Sequence, residues 1–225
     1  MNNNLFYSNT KHLYLITPPQ LLSKKLPLKK FTKILNKTLK TKKIKFLQLR
    51  IKNKKKIHIL NALIKIKKIC KKYKTLCFVN DYTDNKILDV CDGVHLGQKD
   101  LTINKAKKII FKKKYLGITC HNSKKLVKKA LLYNPTYISF GSFFPSKTKK
   151  IKYYAEIKNI NWFKKKFNIP CVAIGGINLE NCNKLLKTNC DWYALCSGVW
   201  NFKKGPEAAV KEFYKKINTN ENISK

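Results

Sequence analysis

Eight short apolar runs, separated by longer lysine-rich stretches of helical character, constrain this chain more than any other feature. The runs are residues 12–17 (HLYLIT), 45–50 (KFLQLR), 75–80 (TLCFVN), 92–96 (DGVHL), 115–119 (YLGIT), 136–141 (TYISFG), 170–175 (PCVAIG) and 191–197 (DWYALCS). Continuous apolar character over so short a span suits strands buried on both faces, which parallel sheets require. The stretch between the second and third runs, residues 55–73, repeats Ile57, Leu60, Ile64 and Ile69 at helical spacing. Comparable amphipathic segments lie near 28–40, 84–90, 103–112, 122–133, 155–166, 178–188 and 206–217. Eight strand-helix units in a chain of 225 residues predict one α/β domain, a (β/α)8 barrel with an eight-stranded parallel sheet, over residues 11–217. Residues 1–10 and 218–225 read as frayed ends. A doubly wound open sheet is the competing arrangement, but it normally uses fewer strands.

A formal net charge of +39 raises nucleic acid or an anionic membrane as partners, because a basic surface attracts polyanions without specific contacts. The lysines are spread along nearly every polar stretch, with no zinc-finger spacing, RNA-binding aromatic signature or isolated basic tail. They read as solvated faces, and no specific nucleic-acid partner is expected. The eight cysteines sit singly in apolar runs and never as C-x-x-C, which predicts buried free thiols in a reducing compartment. No run of about 18 apolar residues occurs and the first residues lack a continuous apolar signal region, so a cytoplasmic protein without a membrane partner is expected. A homo-oligomer stays open.

In such a barrel the site is built from the C-terminal ends of the strands and the loops after them. Those positions carry Tyr14 and Thr17; Gln48, Arg50 and Lys52; Asn80 and Asp81; His95, Gly97, Gln98 and Asp100; Thr119 and His121; Gly141, Ser146, Thr148 and Lys149; Gly175 and Gly176; and Ser197 and Gly198. Gln48, Arg50 and Lys52 alternate along a strand end and therefore point to one side. Arg50 is the only arginine in a chain otherwise furnished with lysine. A guanidinium is a planar fork that grips phosphate or carboxylate in two places, work that lysine does poorly. Residues 141–150 (GSFFPSKTKK) offer hydroxyls and Lys149 to phosphate oxygens. The glycine pair after the seventh run and Ser197–Gly198 after the eighth fit the phosphate site this fold builds there. Asp81 and Asp100 are hard oxygen donors suited to Mg2+, although Asp100 is also placed to cap the helix that follows it.

The stretches LYLIT, QLRIK, FVND, DGVHLGQKDL, GITCHNSKK, YISFGSFFPSKTK, VAIGGINLEN and ALCSGVW run in order from about residue 12 to 217. Together they resemble the thiamine-phosphate synthase family, in the superfamily it shares with thiazole tautomerases. The resemblance implies an enzyme, a transferase that joins a pyrimidinylmethyl diphosphate to a thiazole phosphate through a pyrimidine carbocation, with Mg2+ as cofactor and small phosphorylated substrates. It assigns Arg50, Lys52, Asn80 and Lys149 to the diphosphate, Gln48 and Thr119 to the pyrimidine side, and Asp81 and Asp100 to the metal. Ser146, Thr148, Gly176 and Ser197 fall to the thiazole phosphate. Tyr82, Ser142 and Cys120 depart from the family's usual residues. Two alternatives follow: a tautomerase with His121 as acid and base, and a non-catalytic basic barrel that binds RNA.

Overall fold

Each apolar run forms a strand, and the strands close on themselves in sequence order. The computed structural model describes residues 11–100, 102–146 and 154–219. Its strands are β1 (His12–Ile16), β2 (Ile44–Leu49), β3 (Leu76–Asn80), β4 (Gly93–Leu96), β5 (Tyr115–Thr119), β6 (Tyr137–Phe140), β7 (Cys171–Ile174) and β8 (Trp192–Leu195). All neighbours pair in parallel and β8 returns to β1, so the sheet is a closed eight-stranded barrel. The connecting helices are α1 (Leu28–Lys40), α2 (Lys56–Lys72), α3 (Asn85–Val90), α4 (Ile103–Phe111), α5 (Lys124–Leu131), α6 (Ile157–Lys166) and α7 (Asn183–Leu186). A short α8 (Ser197–Trp200) precedes the final α9 (Pro206–Thr219), which runs past residue 217.

The two-residue alternation of the strands divides the buried residues into two cores. Leu13, Leu15, Leu47, Leu49, Val79, Leu116, Ile118 and Ile138 face outward and meet the helices. Tyr14, Phe46, Phe78, Tyr137, Val172 and Trp192 face inward and fill the barrel. Phe46 stacks on Trp192 at 4.1 Å between ring centroids, and Tyr14 meets Tyr137 edge-on at 5.8 Å. Five aromatic rings fit only because β4 and β5 each carry a glycine. A Cβ on Gly93 would stand 2.4 Å from the Phe78 ring, and one on Gly117 would stand 2.0 Å from the Tyr137 ring.

At the opposite end from the strand tips, two clamps of the same design tie neighbouring strands. Asp92 accepts from the Cys77 backbone N–H at 2.7 Å and pairs with Lys67; Asp191 accepts from the Cys171 N–H at 2.7 Å and pairs with Lys164. These partly buried aspartates satisfy strand donors as well as a cation, which makes them more than surface ion pairs.

The structure corrects two helix expectations. In α2 the buried face is Ile59, Ala62, Leu63, Ile66 and Cys70, while Ile57 and Ile64 are exposed. Isoleucine occurs on both faces of this helix, so the four residues at helical spacing straddle the edge of the buried face: Leu60 and Ile69 pack against the core. Helix α7 is shorter than 178–188 because Asn178 Oδ1 accepts from the N–H groups of Glu180 and Asn181 at 3.0 and 2.9 Å, holding a turn there. All eight cysteines are unpaired thiols, seven of them buried. Among the described residues, no helix is long and apolar enough to cross a membrane.

Gly117→Ala is expected to destabilise the fold by about 1–3 kcal/mol, as overpacking of a filled interior does. Urea unfolding checks this, and an unchanged midpoint would show that the ring of Tyr137 has room to move.

Candidate active site at the barrel mouth

The residues that end the strands converge as the closed sheet requires. Gln48 is buried within the barrel, Arg50 is half-buried and Lys52 is exposed, so the three climb one wall from floor to rim. Arg50 is fixed through its backbone: its N–H donates to Thr17 Oγ1 at 2.9 Å, and the Thr17 hydroxyl donates to the Arg50 carbonyl at 3.3 Å. Its positive charge bears on Asp81, His95 and Cys196, which lie in or just after β3, β4 and β8.

Asp81 adopts a left-handed backbone (φ 66°) and its N–H donates to the His95 carbonyl at 2.9 Å. Aspartate tolerates this conformation better than most residues. Its Oδ1 accepts from Gly97 N–H at 3.1 Å and its Oδ2 from the Asn80 amide. Asp100 faces the same glycine: a methyl on Gly97 would stand 3.4 Å from Asp100 Oδ2 and 3.8 Å from Asp81 Oδ1. Asp100 is not the cap of α4, since Thr102 accepts from Lys105 N–H in that role. Burial pushes the Asp81 carboxyl above its ordinary range and the neighbouring Asp100 adds to the shift, while the Gly97 N–H and Arg50 oppose it.

Beneath these charges lies a polar floor. Tyr14 and His95, expected on the rim, instead have their side chains inside the barrel, 1% and 5% exposed, because alternation turns them inward below the strand tips. Burial, reinforced by Arg50, lowers the His95 pKa to about 3, so the imidazole is neutral. Its Nε2 meets Thr119 Oγ1 at 2.6 Å. Thr119 also takes a bond from Ser139 at 3.1 Å, and its carbonyl accepts from Gln98 at 2.5 Å.

The loops after β6, β7 and β8 form the opposite rim. Phe143 and Phe144 donate from their backbone N–H groups to the Ile174 and Gly175 carbonyls at 3.1 and 3.0 Å. Gly176 has φ 64°, and a Cβ there would lie 2.2 Å from the Pro145 carbonyl oxygen, so only glycine fits where these loops touch. Asn181, which the sequence reading missed, donates to the Gly176 carbonyl at 2.9 Å; the Asn-x-x-Asn spacing was its signal. Ser197 opens α8 beside this loop, with a Cβ on Gly198 falling 2.4 Å from the Ile177 carbonyl oxygen. Ser146, in the loop after β6, is half-buried, while Thr148 and Lys149 lie outside the described residues. His121 stands on the rim in a left-handed conformation (φ 51°), and its carbonyl accepts from Gly141 N–H at 3.2 Å. Asn122 beside it bonds Glu156 and Asn159, another latch invisible in sequence. Of the three departures, Tyr82 donates to the Ile51 carbonyl at 3.3 Å, Ser142 packs under Gly175 and Cys120 is buried.

The mouth thus carries one arginine and two facing carboxylates on one side, and glycine-rich loops on the other. The thiamine monophosphate synthase family model matches residues 13–199, and the chain belongs to that family. It is 39% identical over 135 residues to a thiamine-phosphate synthase of Rhodospirillum centenum, covering 60% of this chain and 65% of the relative. A thiamine-phosphate synthase of Pelagibacter ubique is 44% identical over 138 residues, covering 61% and 66%. The alignments thus span just under two thirds of these relatives' lengths. Among solved structures, a thiamine phosphate pyrophosphorylase from Pyrococcus furiosus superposes with a TM-score of 0.77 at 26% identity, covering 94% of this chain and 97% of that one.

The raised pKa of Asp81 carries a sign. A carboxyl whose folded pKa lies above its unfolded value favours folding only while protonated, and the charged form is penalised as pH rises through the folded pKa. Asp81→Asn, which keeps the acceptor for Gly97 N–H, is therefore expected to raise Tm in EDTA at pH 7. The advantage should shrink toward pH 3, below the ordinary aspartate value of 3.8. Parallel Tm profiles for the two proteins would contradict this account of the site's electrostatics.

Proposed function

We propose that this chain is a thiamine-phosphate synthase. It joins 4-amino-2-methyl-5-pyrimidinylmethyl diphosphate to hydroxyethylthiazole phosphate and releases thiamine phosphate and pyrophosphate; with the thiazole carboxylate, CO2 leaves as well and a proton from solvent takes its place. The observation that carries this reading is the convergence of Asp81, Asp100 and Arg50 at the mouth of a barrel from this family.

The bond from the pyrimidinylmethyl carbon to the diphosphate breaks, and its electron pair leaves on the diphosphate. The thiazole nitrogen then gives its lone pair to the resulting carbocation, forming the new C–N bond without a protein nucleophile or a proton transfer. Catalysis on this route is positioning and neutralisation of the leaving group. Arg50 grips the departing diphosphate with its fork, aided by Lys52 and the Asn80 amide, and Lys149 joins them by resemblance. Gln48 and Thr119 hold the pyrimidine. Gly176, Ser197 and Ser146, with Thr148 by resemblance, hold the thiazole phosphate opposite.

The donor set fits Mg2+. Asp81 and Asp100 are two hard carboxylates on neighbouring loops, and no cluster of three or more His, Cys, Asp or Glu metal-ligating groups occurs among the described residues. Mg2+ is typically held by one or two carboxylates, with substrate phosphates and waters completing its octahedron. When bound, it supplies charge neutralisation to the diphosphate oxygens. The unpaired thiols support a cytoplasmic setting. A tautomerase centred on His121 has no use for the Asp81–Asp100–Arg50 cluster, and neither has a barrel that only binds RNA.

The test is to incubate the purified protein with both substrates and Mg2+, with and without EDTA, and to follow thiamine phosphate and pyrophosphate together. Equimolar, EDTA-sensitive formation of both is expected, with a loss of at least about a hundredfold in Asp81→Asn, the scale on which removal of a leaving-group stabiliser is felt. Absence of both products, or isomerisation of the thiazole carboxylate phosphate in EDTA, would overturn the proposal.

A further inference from the structure

A continuous hydrogen-bonded chain crosses the inside of the barrel and joins the two residues assigned to the pyrimidine. Gln48 Nε2 donates to Tyr14 Oη at 3.2 Å, and Tyr14 Oη lies 2.8 Å from Tyr137 Oη. Tyr137 Oη meets His95 Nδ1 at 2.9 Å, His95 Nε2 meets Thr119 Oγ1 at 2.6 Å, and Ser139 donates to the same oxygen at 3.1 Å. The interior members are almost fully buried: Gln48 is 2% exposed, Tyr14 1%, Tyr137 0% and Ser139 1%. The His95 ring also stacks on Tyr137 at 5.6 Å and 18°. Tyr14, Tyr137 and Ser139 are thus shut away from bulk solvent.

The protons in such a chain are not independent. An amide nitrogen only donates, so Tyr14 accepts from Gln48 and must send its own proton to Tyr137. Tyr137 in turn donates to His95 Nδ1. A neutral imidazole then carries its single N–H on Nε2 and donates to Thr119. Thr119 Oγ1 already accepts from His95 and Ser139, which leaves its own proton to be offered toward the mouth. Gln48, with Nε2 committed to Tyr14, offers Oε1. Reversing the Gln48 amide would reverse every bond, after which Gln48 would offer a donor and Thr119 an acceptor. The two ends are therefore coupled, although they sit on β2 and β5.

We propose that Tyr14, Tyr137 and His95 are positioning residues whose proton order makes Gln48 an acceptor and Thr119 a donor. The pair reads a ligand edge that carries an amino N–H beside a ring-nitrogen acceptor. That edge is the 4-aminopyrimidine edge, so the inference deepens the proposed function and rests on it for the identity of the ligand. A 4-oxopyrimidine presents the opposite order, a carbonyl acceptor beside a ring N–H. Mismatch at a buried polar pair leaves donors and acceptors unmet, which is why such sites discriminate strongly.

The test is binding rather than turnover. The affinities of 4-amino-2-methyl-5-pyrimidinylmethyl diphosphate and its 4-oxo counterpart are measured by calorimetry on the wild type, Tyr137→Phe, Thr119→Ser and Thr119→Val. The wild type should prefer the amino compound by at least about tenfold, the lower end of what one buried hydrogen bond supports. Tyr137→Phe cuts the chain while keeping the ring, and should lose most of that preference without changing affinity for inorganic pyrophosphate. Thr119→Ser keeps the hydroxyl and the preference, whereas Thr119→Val loses it; this pair carries the test if Tyr137→Phe does not fold. A wild type indifferent to the edge, or an undiminished preference in folded Tyr137→Phe or in Thr119→Val, overturns the inference. Preference for the amino compound in a protein that makes no thiamine phosphate would sink the synthase reading and leave this one standing.

Discussion

The filling of the barrel interior is the constraint on which the rest of the structure depends. A closed eight-stranded sheet leaves just enough room inside for side chains, and here that room is taken by the rings of Tyr14, Phe46, Phe78, Tyr137 and Trp192. Gly93 and Gly117 make space for the rings. Because two of the five are tyrosines, the apolar plug ends in hydroxyls that must be paired. They are paired with Gln48 and His95, so the top of the hydrophobic core becomes the floor of the mouth. On the proposed reading, core packing and ligand recognition share the same side chains.

Above that floor the chemistry depends on where a very basic chain places its few carboxylates. Only 11 acidic residues accompany 50 Lys and Arg, and several aspartates have a distinct task. Asp92 and Asp191 clamp the far ends of strands, and Asp84 caps α3. Asp81 and Asp100 remain at the mouth, facing one glycine. Burial and mutual repulsion raise the Asp81 pKa despite Arg50 nearby. A cation bound there, as proposed, would relieve both.

The strand pattern was legible because strands buried on both faces leave unbroken apolar runs, and closure of eight such units admits few alternatives. Positions at strand tips were legible for the same reason: Arg50, Asn80, Asp81 and Asp100 stand where counting along the strands puts them. What the sequence concealed is side-chain direction and long-range pairing. Tyr14 and His95 are next to rim residues in sequence yet point inward, and the bond from Tyr14 to Tyr137 joins residues 123 apart. In α2, isoleucine on the solvent face obscured the true stripe. Asp100 could be read as the cap of α4 until Thr102 proved to fill that place.

The central claim is that anion binding is built at the mouth around Arg50 and the two carboxylates, and is not the diffuse attraction of a +39 surface. Calorimetric titration of pyrophosphate into the wild type and Arg50→Lys, with and without Mg2+ and at two salt concentrations, tests it most directly. The account predicts one Mg2+-dependent site per chain that persists at about 0.2 M salt, where a Debye length below 10 Å screens exposed charge. It also predicts a loss of about tenfold or more in Arg50→Lys, although the net charge is unchanged. Binding that ignores Mg2+, vanishes with salt and treats Arg50→Lys as wild type would contradict it.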